Sequence, residues 1–471
     1  MVFNKADNFA NVGGFYTNES GDYKNFNDPK TYSTYGVETK SYTKIKDVYF
    51  YGSFKYDYGV NEDLAWRGTI YPGSNLNPIV DSIPGKVLRE SYILSGKVGY
   101  NLTDRISIGA AFDYSTNTAA KRIDGRNKNT LSKLNVSPGI TFTAAGLKLG
   151  LNLNYKRDVE QVEYKYIGEA TGKDIYYMEG LWFYVSSGIT NTTMLNRKYL
   201  KDVFGGSFQF LAKVGNLRLF NQFSVNYGQE DNAESGNFDK RYASVESLNY
   251  KYDGKFRLVG NDIDHFLTLS FMSEENLSSN IVTNYERVPG EGNSWAYYEY
   301  GKTLRYVTNY QKYGAEYKVF IRDGEWRCSW IVAAGINHHV MEKNYKVFPA
   351  SYHQDYKLSE IYLRAAKDFI LNEKSSLNLE FTGSYIDASG TKLDEVNPLT
   401  IGSLKLNRSI LDTDYAYNLA SRYSAGLNMK YARSLNLDKG STIYMGAGYR
   451  HVDAADLGTR AFFTLSIGLN F

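Results

Sequence analysis

The last stretch of the chain, residues 458–471, alternates between apolar and polar positions with a period of two. Apolar side chains take the odd positions from 461 to 471, and polar or small ones take the even positions, with Phe462 as the exception. In a β-strand this alternation places the two sets on opposite faces. One apolar face, one polar face and a terminal aromatic residue are typical of the closing strand of an outer-membrane β-barrel. A half-buried strand of a soluble sheet is the alternative.

The same alternation recurs along the chain, and segments that carry it are separated by short turns and longer loops in succession. The clearest alternating segments are residues 105–115, 147–157, 377–385, 415–431 and 443–450. Short turns are predicted at 102–105, 144–146, 214–216, 260–262, 322–325, 371–375 and 436–440. Long loops are predicted at 59–88, 116–130, 158–199, 229–240, 276–303, 343–355, 389–414 and 453–457.

These connections predict an all-β fold, an antiparallel transmembrane β-barrel of about 16 strands within a range of 14–18. Short turns would face the periplasm and long loops the exterior, with both chain ends on the turn side. Tyrosines near the loop ends of the apolar stripes, such as Tyr155 and Tyr449, indicate an interfacial girdle. Residues 1–44 alternate weakly and are interpreted as an N-terminal extension, periplasmic, lumenal or in contact with a partner; residues 45–471 form the predicted barrel.

The amino-acid composition agrees with a membrane barrel and gives no support to a nucleic-acid-binding protein. The chain has 471 residues, of which 43 are Tyr and 42 are Gly, and its mean hydropathy is −0.45. Alternating faces cancel in such an average, so a modest hydropathy does not exclude a membrane barrel. The net charge of +3 gives no reason to expect a nucleic-acid partner. Residues 1–5 do not begin an export signal. Either such a signal has been removed or the protein is not exported, and we expect the former.

Basic side chains recur on the face that the alternation turns towards the lumen. The lumen-facing candidates are Lys97, Lys148, Lys156, Arg422, Lys430, Arg450 and Arg460. An open lumen with these residues would favour anions. The alternative is that they pair with a plug or with lumenal acids.

The longest predicted loop, 158–199, has an aromatic and apolar centre that is unsuited to bare exposure. Candidates for a lumenal constriction or a partner contact are Tyr176, Tyr177, Leu181, Trp182, Phe183 and Tyr184. Packing on neighbouring loops is the alternative. Two other predicted loops carry aromatic segments, at 66–72 and 295–300, and the three together are candidates for an aromatic cap.

No motif for catalysis, metal binding or cofactor binding occurs in the sequence. The chain has no Gly-x-Ser-x-Gly elbow, no P-loop and no His/Cys ligand set. The adjacent His338 and His339 would point to opposite faces of a strand. We therefore predict no catalytic residues, no cofactor, no metal site and no enzymatic activity.

The chain resembles a family of Bacteroidota outer-membrane β-barrels known only as a domain of unknown function. Besides the terminal strand, the matching landmarks are Trp66 and residues 72–78, 81–84, 136–140, 180–183 and 205–210. The resemblance implies a location in the outer membrane of a Gram-negative bacterium, often with genes for TonB-dependent transporters nearby. It supplies no functional residue.

These observations together predict a transport-related barrel. It would be an accessory subunit of a larger TonB-dependent uptake complex or a passive pore. The alternative is a structural or assembly subunit with a filled lumen. Expected partners are the lipid bilayer and, for the accessory role, a TonB-dependent transporter or another outer-membrane barrel.

Overall fold

The computed structural model describes residues 8–123, 125–168, 173–190, 194–234, 240–323, 328–347, 351–394, 404–436 and 441–471. In chain order the elements are β1 (Phe9–Gly21), β2 (Thr31–Ile45), β3 (Val48–Leu64), β4 (Ile79–Val80), β5 (Gly85–Asn101), β6 (Ile106–Lys121), β7 (Arg126–Ala144), β8 (Leu147–Lys165), β9 (Lys173–Met178), β10 (Phe183–Ile189), β11 (Met194–Val214), β12 (Leu217–Glu234), β13 (Lys240–Val259), β14 (Ile263–Arg287), β15 (Trp295–Arg322), β16 (Cys328–Tyr345), β17 (Tyr352–Asn372), β18 (Ser375–Asp394), β19 (Lys405–Leu406), α1 (Arg408–Asn418), β20 (Arg422–Asn436), β21 (Ser441–Ala454) and β22 (Gly458–Asn470).

Eighteen of these strands form one antiparallel sheet that closes on itself. The closing pair is β1 with β22, in register from Asn11 opposite Asn470 to Gly21 opposite Arg460. The remaining strands β4, β9, β10 and β19 form a separate four-stranded sheet. Closure leaves every barrel strand paired on both edges, which a sheet in lipid requires.

The strand number corrects the estimate of about 16, and the extra pair comes from the N-terminus. The predicted extension of residues 1–44 contains β1 and most of β2, which pair with each other and with β22 and β3. The extension is therefore part of the barrel wall from Phe9 onward. Its alternation is weak because tyrosine, glycine and threonine occupy many positions on both faces.

The longest connections all lie at one end of the barrel, as predicted, but the lengths at the two ends overlap, since three residues join β21 to β22 at the loop end and four join β5 to β6 at the turn end. Two-residue turns join β2 to β3, β7 to β8 and β11 to β12. At the other end several strands continue well into segments predicted as loops. The predicted loop 276–303 is mostly the paired ends of β14 and β15, from Leu277 opposite Val307 to Arg287 opposite Trp295. The predicted turns at 322–325 and 436–440 lie partly outside the described residues.

The outer wall of the barrel carries an apolar band. On β8, Leu151 and Leu153 point outward with 59% and 70% of their surface exposed, whereas Asn152 and Asn154 point into the lumen. Exposed leucine, isoleucine and phenylalanine continue this band on the neighbouring strands, for example Ile140, Phe208 and Phe223. A band this apolar on a closed barrel identifies a membrane-spanning surface.

Within the described residues, no helix is long and apolar enough to cross a membrane.

Candidate functional site: a cap inside the lumen

Four segments from the loop end fold inward and pack together inside the barrel. They are residues 22–30, 65–84, 173–190 and 404–421, and we refer to them as the cap. Phe26 of the first segment lies edge-on to Trp182 of the third, with ring centroids 4.4 Å apart. Trp66 of the second lies 4.8 Å from Tyr176 of the third, and Asn25 donates a 2.8 Å hydrogen bond to Asp414 of the fourth.

The cap is organised around the small four-stranded sheet, in the order β19–β10–β9–β4. The hairpin of β9 and β10 supplies its centre, because Tyr184 pairs with Met178 and Ile189 with Lys173. Helix α1 follows β19, and its first turn begins at Asn407, whose side chain accepts a hydrogen bond from the Ile410 amide. Leu411 of this helix is fully buried.

Apolar contacts hold the cap against the wall in several clusters. Phe183 stacks on Tyr345 of β16 with ring centroids 3.8 Å apart. On another side, Ile79 of β4 packs with Val162 and Tyr164 of β8, all with no exposed surface. The buried side chains of these strands are inward-facing, so the lumen at this end is occupied by protein.

Polar anchors complete the junction between cap and wall. Lys121 of β6 forms a buried ion pair with Asp81, and burial raises the pKa of the Asp81 carboxyl despite the adjacent ammonium group. Glu179 of the hairpin pairs with Arg305 of β15. The side-chain amide of Asn77 donates a 2.8 Å hydrogen bond to Ser278, which is 1% exposed.

Two acidic residues of the wall meet the cap beyond the apolar band. Glu160 accepts 2.8 Å hydrogen bonds from the Ile70 amide and from Asn129. Glu230 accepts one from Asn75 and is 4% exposed. Burial raises the pKa of Glu160, and it raises the pKa of Glu230 to about 7. The contact between Glu230 and the cap therefore changes its charge state near neutral pH.

The tryptophans of the cap sit in an unusual backbone conformation. Trp66, Leu181 and Trp182 have positive φ angles of 55°, 42° and 64°. A bulky residue in the left-handed region is disfavoured by about 1–3 kcal/mol and persists only where surrounding contacts fix it. Such strain concentrates at sites that must present a side chain in one orientation.

The six predicted loop residues all lie in the cap. Leu181 and Phe183 are buried against Tyr306 and Tyr345 of the wall. Tyr176 contacts Trp66 and Tyr184, while the ring of Tyr177 lies 4.9 Å from the guanidinium of Arg197. Of the three aromatic segments, 66–72 and 176–185 meet in the cap. The third, 295–300, lies on β15, where Trp295 packs on Tyr285 and is 54% exposed.

The seven predicted lumenal cations fall into three groups. Arg460 and Arg422 hold the cap: Arg460 donates to the Pro29 carbonyl and pairs with Glu19, and Arg422 lies over the Tyr23 ring. Lys97, Lys430 and Arg450 lie over aromatic rings of neighbouring strands, at Tyr51, Tyr444 and Phe462 respectively. Lys148 and Lys156 border an open cavity on the turn side. Anion preference stays a prediction.

That turn-side cavity, of about 580 Å³, is lined by a ladder of amides and hydroxyls. Asn152 donates to Asn154, and Gln209 donates to Asn152 and Gln222, at 2.8–3.1 Å. The lumen below the cap is thus polar over β7 to β12, and Lys148 and Lys156 add positive charge at its border. Its amides provide both donors and acceptors along the wall.

A second cavity, of about 610 Å³, lies between the cap and strands β14 to β17, and we call it the chamber. Cap residues at its border include Trp66, Arg67, Trp182, Asp28 and Asp414. Wall residues include Glu274, Asn276, Tyr310, Lys343 and Tyr356.

Each of the two cations at the chamber pairs with a carboxylate of the cap. Asp28 pairs with Arg67 at 3.2 Å, and Asp414 pairs with Lys343 at 3.3 Å. Burial alone would lower the pKa of Lys343, but the Asp414 carboxylate raises it above its usual value. Sequence reasoning missed these residues because each pair joins segments far apart in the chain. The one local signal was the run of polar residues around Asp28, which was assigned to the extension.

In the described part of the chain, the side chains that could hold a metal ion are those of His, Cys, Asp and Glu. No group of three or more potential ligands converges there. His339 bonds to the Tyr310 hydroxyl at 2.6 Å and His338 to Ser359 at 2.9 Å, so each has a partner on a neighbouring strand.

A membrane-spanning β-barrel with an internal cap is the class that fold and site define. Within that class, the chain belongs to the DUF6850 family, a family of unknown function whose profile matches residues 1–471. No curated protein matches the chain.

Several solved structures are similar to this chain over nearly its whole length. The outer-membrane transporter YddB from Escherichia coli has 8% identity, covers 99% of this chain and 81% of its own, and gives a TM-score of 0.45. The RagAB peptide transporter has 8% identity, coverage of 99% and 87%, and a TM-score of 0.42. BauA, the ferric preacinetobactin receptor from Acinetobacter baumannii, has 10% identity, coverage of 99% and 80%, and a TM-score of 0.40. These likenesses carry no information on what the present chain binds.

Proposed function

We propose that this protein is an outer-membrane β-barrel of a Gram-negative bacterium with a transport-related role, in which the cap closes the loop side of the lumen. The observation that carries the proposal is the position of the cap, packed inside the barrel above a polar, open turn-side lumen. The turn-side cavity would serve as one part of a route for solute, which displacement of the cap would complete.

The position of the cap also bears on the choice between an accessory subunit and a passive pore. A permanently open pore needs a water-filled path, whereas residues such as Ile79, Val162 and Leu411 fill the loop-side lumen without exposed surface. A gated barrel, opened by a ligand or by a partner barrel such as a TonB-dependent transporter, suits this arrangement better. We infer that opening requires at least the hairpin 173–190 to move.

Conductance in planar bilayers tests this function. We expect the wild type to be largely silent and a variant with residues 173–190 replaced by a short Gly-Ser linker to give steady single-channel currents. The same linker placed at 288–294, the exposed tip between β14 and β15, is the control and should stay silent. A folded hairpin variant that also stays silent would argue against a gated lumen.

A structural or assembly subunit with a filled lumen is the second candidate. The observation that favours it is the extent of burial, since the cap contacts wall strands from β6 round to β17. Mild-detergent purification from the native membrane separates the two roles further. A stoichiometric second barrel together with a silent hairpin variant would support the structural role.

A further inference from the structure

We propose that the chamber is a binding site for a neutral, hydroxyl-rich ring compound, an oligosaccharide of two to four sugar units. This proposal rests on the function above and names the class of solute. A volume of about 610 Å³ falls within the range of ligand pockets and exceeds what a single small ion requires.

The charges of the chamber argue against an ionic ligand. Arg67 and Lys343 are each neutralised by a carboxylate of the cap, so neither cation is available to a free anion. The remaining acid, Glu274, accepts hydrogen bonds from Asn276 at 3.0 Å and from Asn249 at 3.4 Å. A carboxylate flanked by amides offers adjacent acceptors and donors, which is the pattern that vicinal hydroxyl groups satisfy.

The aromatic residues supply the complementary surface. Trp66 and Trp182 come from the cap, and Tyr310 and Tyr356 come from the facing wall. The faces of sugar rings expose C–H groups that pack on aromatic rings, while their edges carry hydroxyl groups. Both tryptophans have positive φ angles, so the backbone holds them in fixed and disfavoured orientations at the border of the chamber.

Calorimetry on the full-length protein in detergent tests the proposal. The probes are maltotetraose and cellotetraose, with trigalacturonate as the anionic probe and trialanine as the peptide probe. We expect one neutral tetrasaccharide to bind, and Trp182→Ala to weaken its binding by about tenfold or more. Trp295→Ala, which removes an exposed tryptophan outside the chamber, should leave binding unchanged. Glu274→Gln tests the chamber independently if Trp182→Ala does not fold.

Three outcomes would overturn the proposal: no binding of either tetrasaccharide, binding that Trp182→Ala and Glu274→Gln do not weaken, or binding of trialanine or trigalacturonate in their place. Failure of the ligand class is distinguishable from failure of the proposed function. A barrel that binds no saccharide but conducts after replacement of residues 173–190 keeps the gated role. If the protein binds saccharide but the variant with residues 173–190 replaced does not conduct, the binding site is supported and the gated transport role is contradicted.

Discussion

The same strands form the membrane band and the capped end of the barrel. In the band their apolar side chains face outward, and at the capped end their apolar side chains face inward. Along β8, the odd positions from Leu147 to Tyr155 are apolar and face lipid, and the even positions are polar and face the lumen. Beyond Tyr155 the odd face carries Gln161 and Glu163, while Val162 and Tyr164 on the even face are buried under the cap. In the band the apolar surroundings of the wall are the lipid outside it. At the loop end they are the cap inside it.

Inward polar side chains therefore have different surroundings in the band and at the capped end, although the alternating pattern is the same for both. In the band, an inward polar side chain meets water or another lumenal polar group. At the capped end, an inward polar side chain such as Lys121 or Ser278 is shielded from water and depends on one specific partner. The same substitution should therefore have different effects at the two levels, and four experiments test this.

The largest effect is expected at the buried ion pair of Lys121 and Asp81. Lys121→Met leaves the carboxylate buried without its cation, which should lower the free energy of unfolding by about 3–5 kcal/mol and expose residues 65–84 to protease. Lys86→Met is the control, since its 2.8 Å pair with Glu62 is nearly half exposed on both sides. It should change stability by under about 1 kcal/mol. Equal effects would mean that Asp81 is not shielded.

The next effect tests the outer face of β8. Leu151→Arg places a charge at the middle of the apolar band and should cost about 2–4 kcal/mol in a lipid bilayer. Gln161→Arg lies on the same face beyond Tyr155 and should be nearly neutral. Urea unfolding in liposomes measures both. A comparable loss for Gln161→Arg would move the membrane boundary to the loop side of this position.

Alternation predicted the barrel and its lipid face, because lipid outside and water inside impose that pattern on every band strand. The prediction from alternation was wrong where the inner face of a strand meets the cap and no longer meets water. Residues 158–165 were assigned to a loop since the apolar stripe stops at Tyr155, yet β8 continues to Lys165 in the inverted pattern. Phe462, the exception in the last strand, faces inward and packs on the cluster of Tyr23 and Ala454. Exceptions of this kind mark where cap meets wall.

The cap itself was predictable only in part. The apolar centre of the loop 158–199 indicated a segment that needs cover, and its six candidate residues do lie in the cap. Composition does not show whether a loop folds into the lumen or extends outward. Trp295, on an exposed strand end, was therefore grouped with Trp66 as a candidate for the cap. Many residues of the cap contact wall residues that are distant in sequence, as Asn75 contacts Glu230 at a separation of 155 residues, and such pairs become visible only in three dimensions.

The third experiment uses pH to titrate a cap contact. The pKa of Glu230 is about 7 in the folded protein against an ordinary value of 4.5. Because the folded state binds the proton more tightly, this residue contributes stability that is full below pH 4.5 and is lost as the pH rises through 7. Glu230→Gln should reduce that loss by roughly 1–3 kcal/mol.

Some pH dependence should remain in the Glu230→Gln variant, since burial also raises the pKa of Glu160 and Asp81. Unfolding at pH 5 and at pH 8 gives the change in stability between the two pH values for the variant and for the wild type. If that change were the same in both proteins, Glu230 would not be buried under the cap in solution. Glu299→Gln, on an exposed pair with Arg241, is the control and should leave the pH dependence as in the wild type.

The smallest effects are expected from one type of substitution, Asn to Ala, made in the turn-side lumen and under the cap. Asn152→Ala removes hydrogen bonds to Asn154 and Gln209 in the turn-side lumen, where water can replace them, so the loss should stay under about 1 kcal/mol. Asn77→Ala leaves Ser278 buried without that donor under the cap and should cost about 1–3 kcal/mol. Denaturant unfolding of both variants gives the comparison directly. If Asn152→Ala cost as much as Asn77→Ala, the turn-side lumen would be as dry as the capped end, and the polar route beneath the cap would not exist.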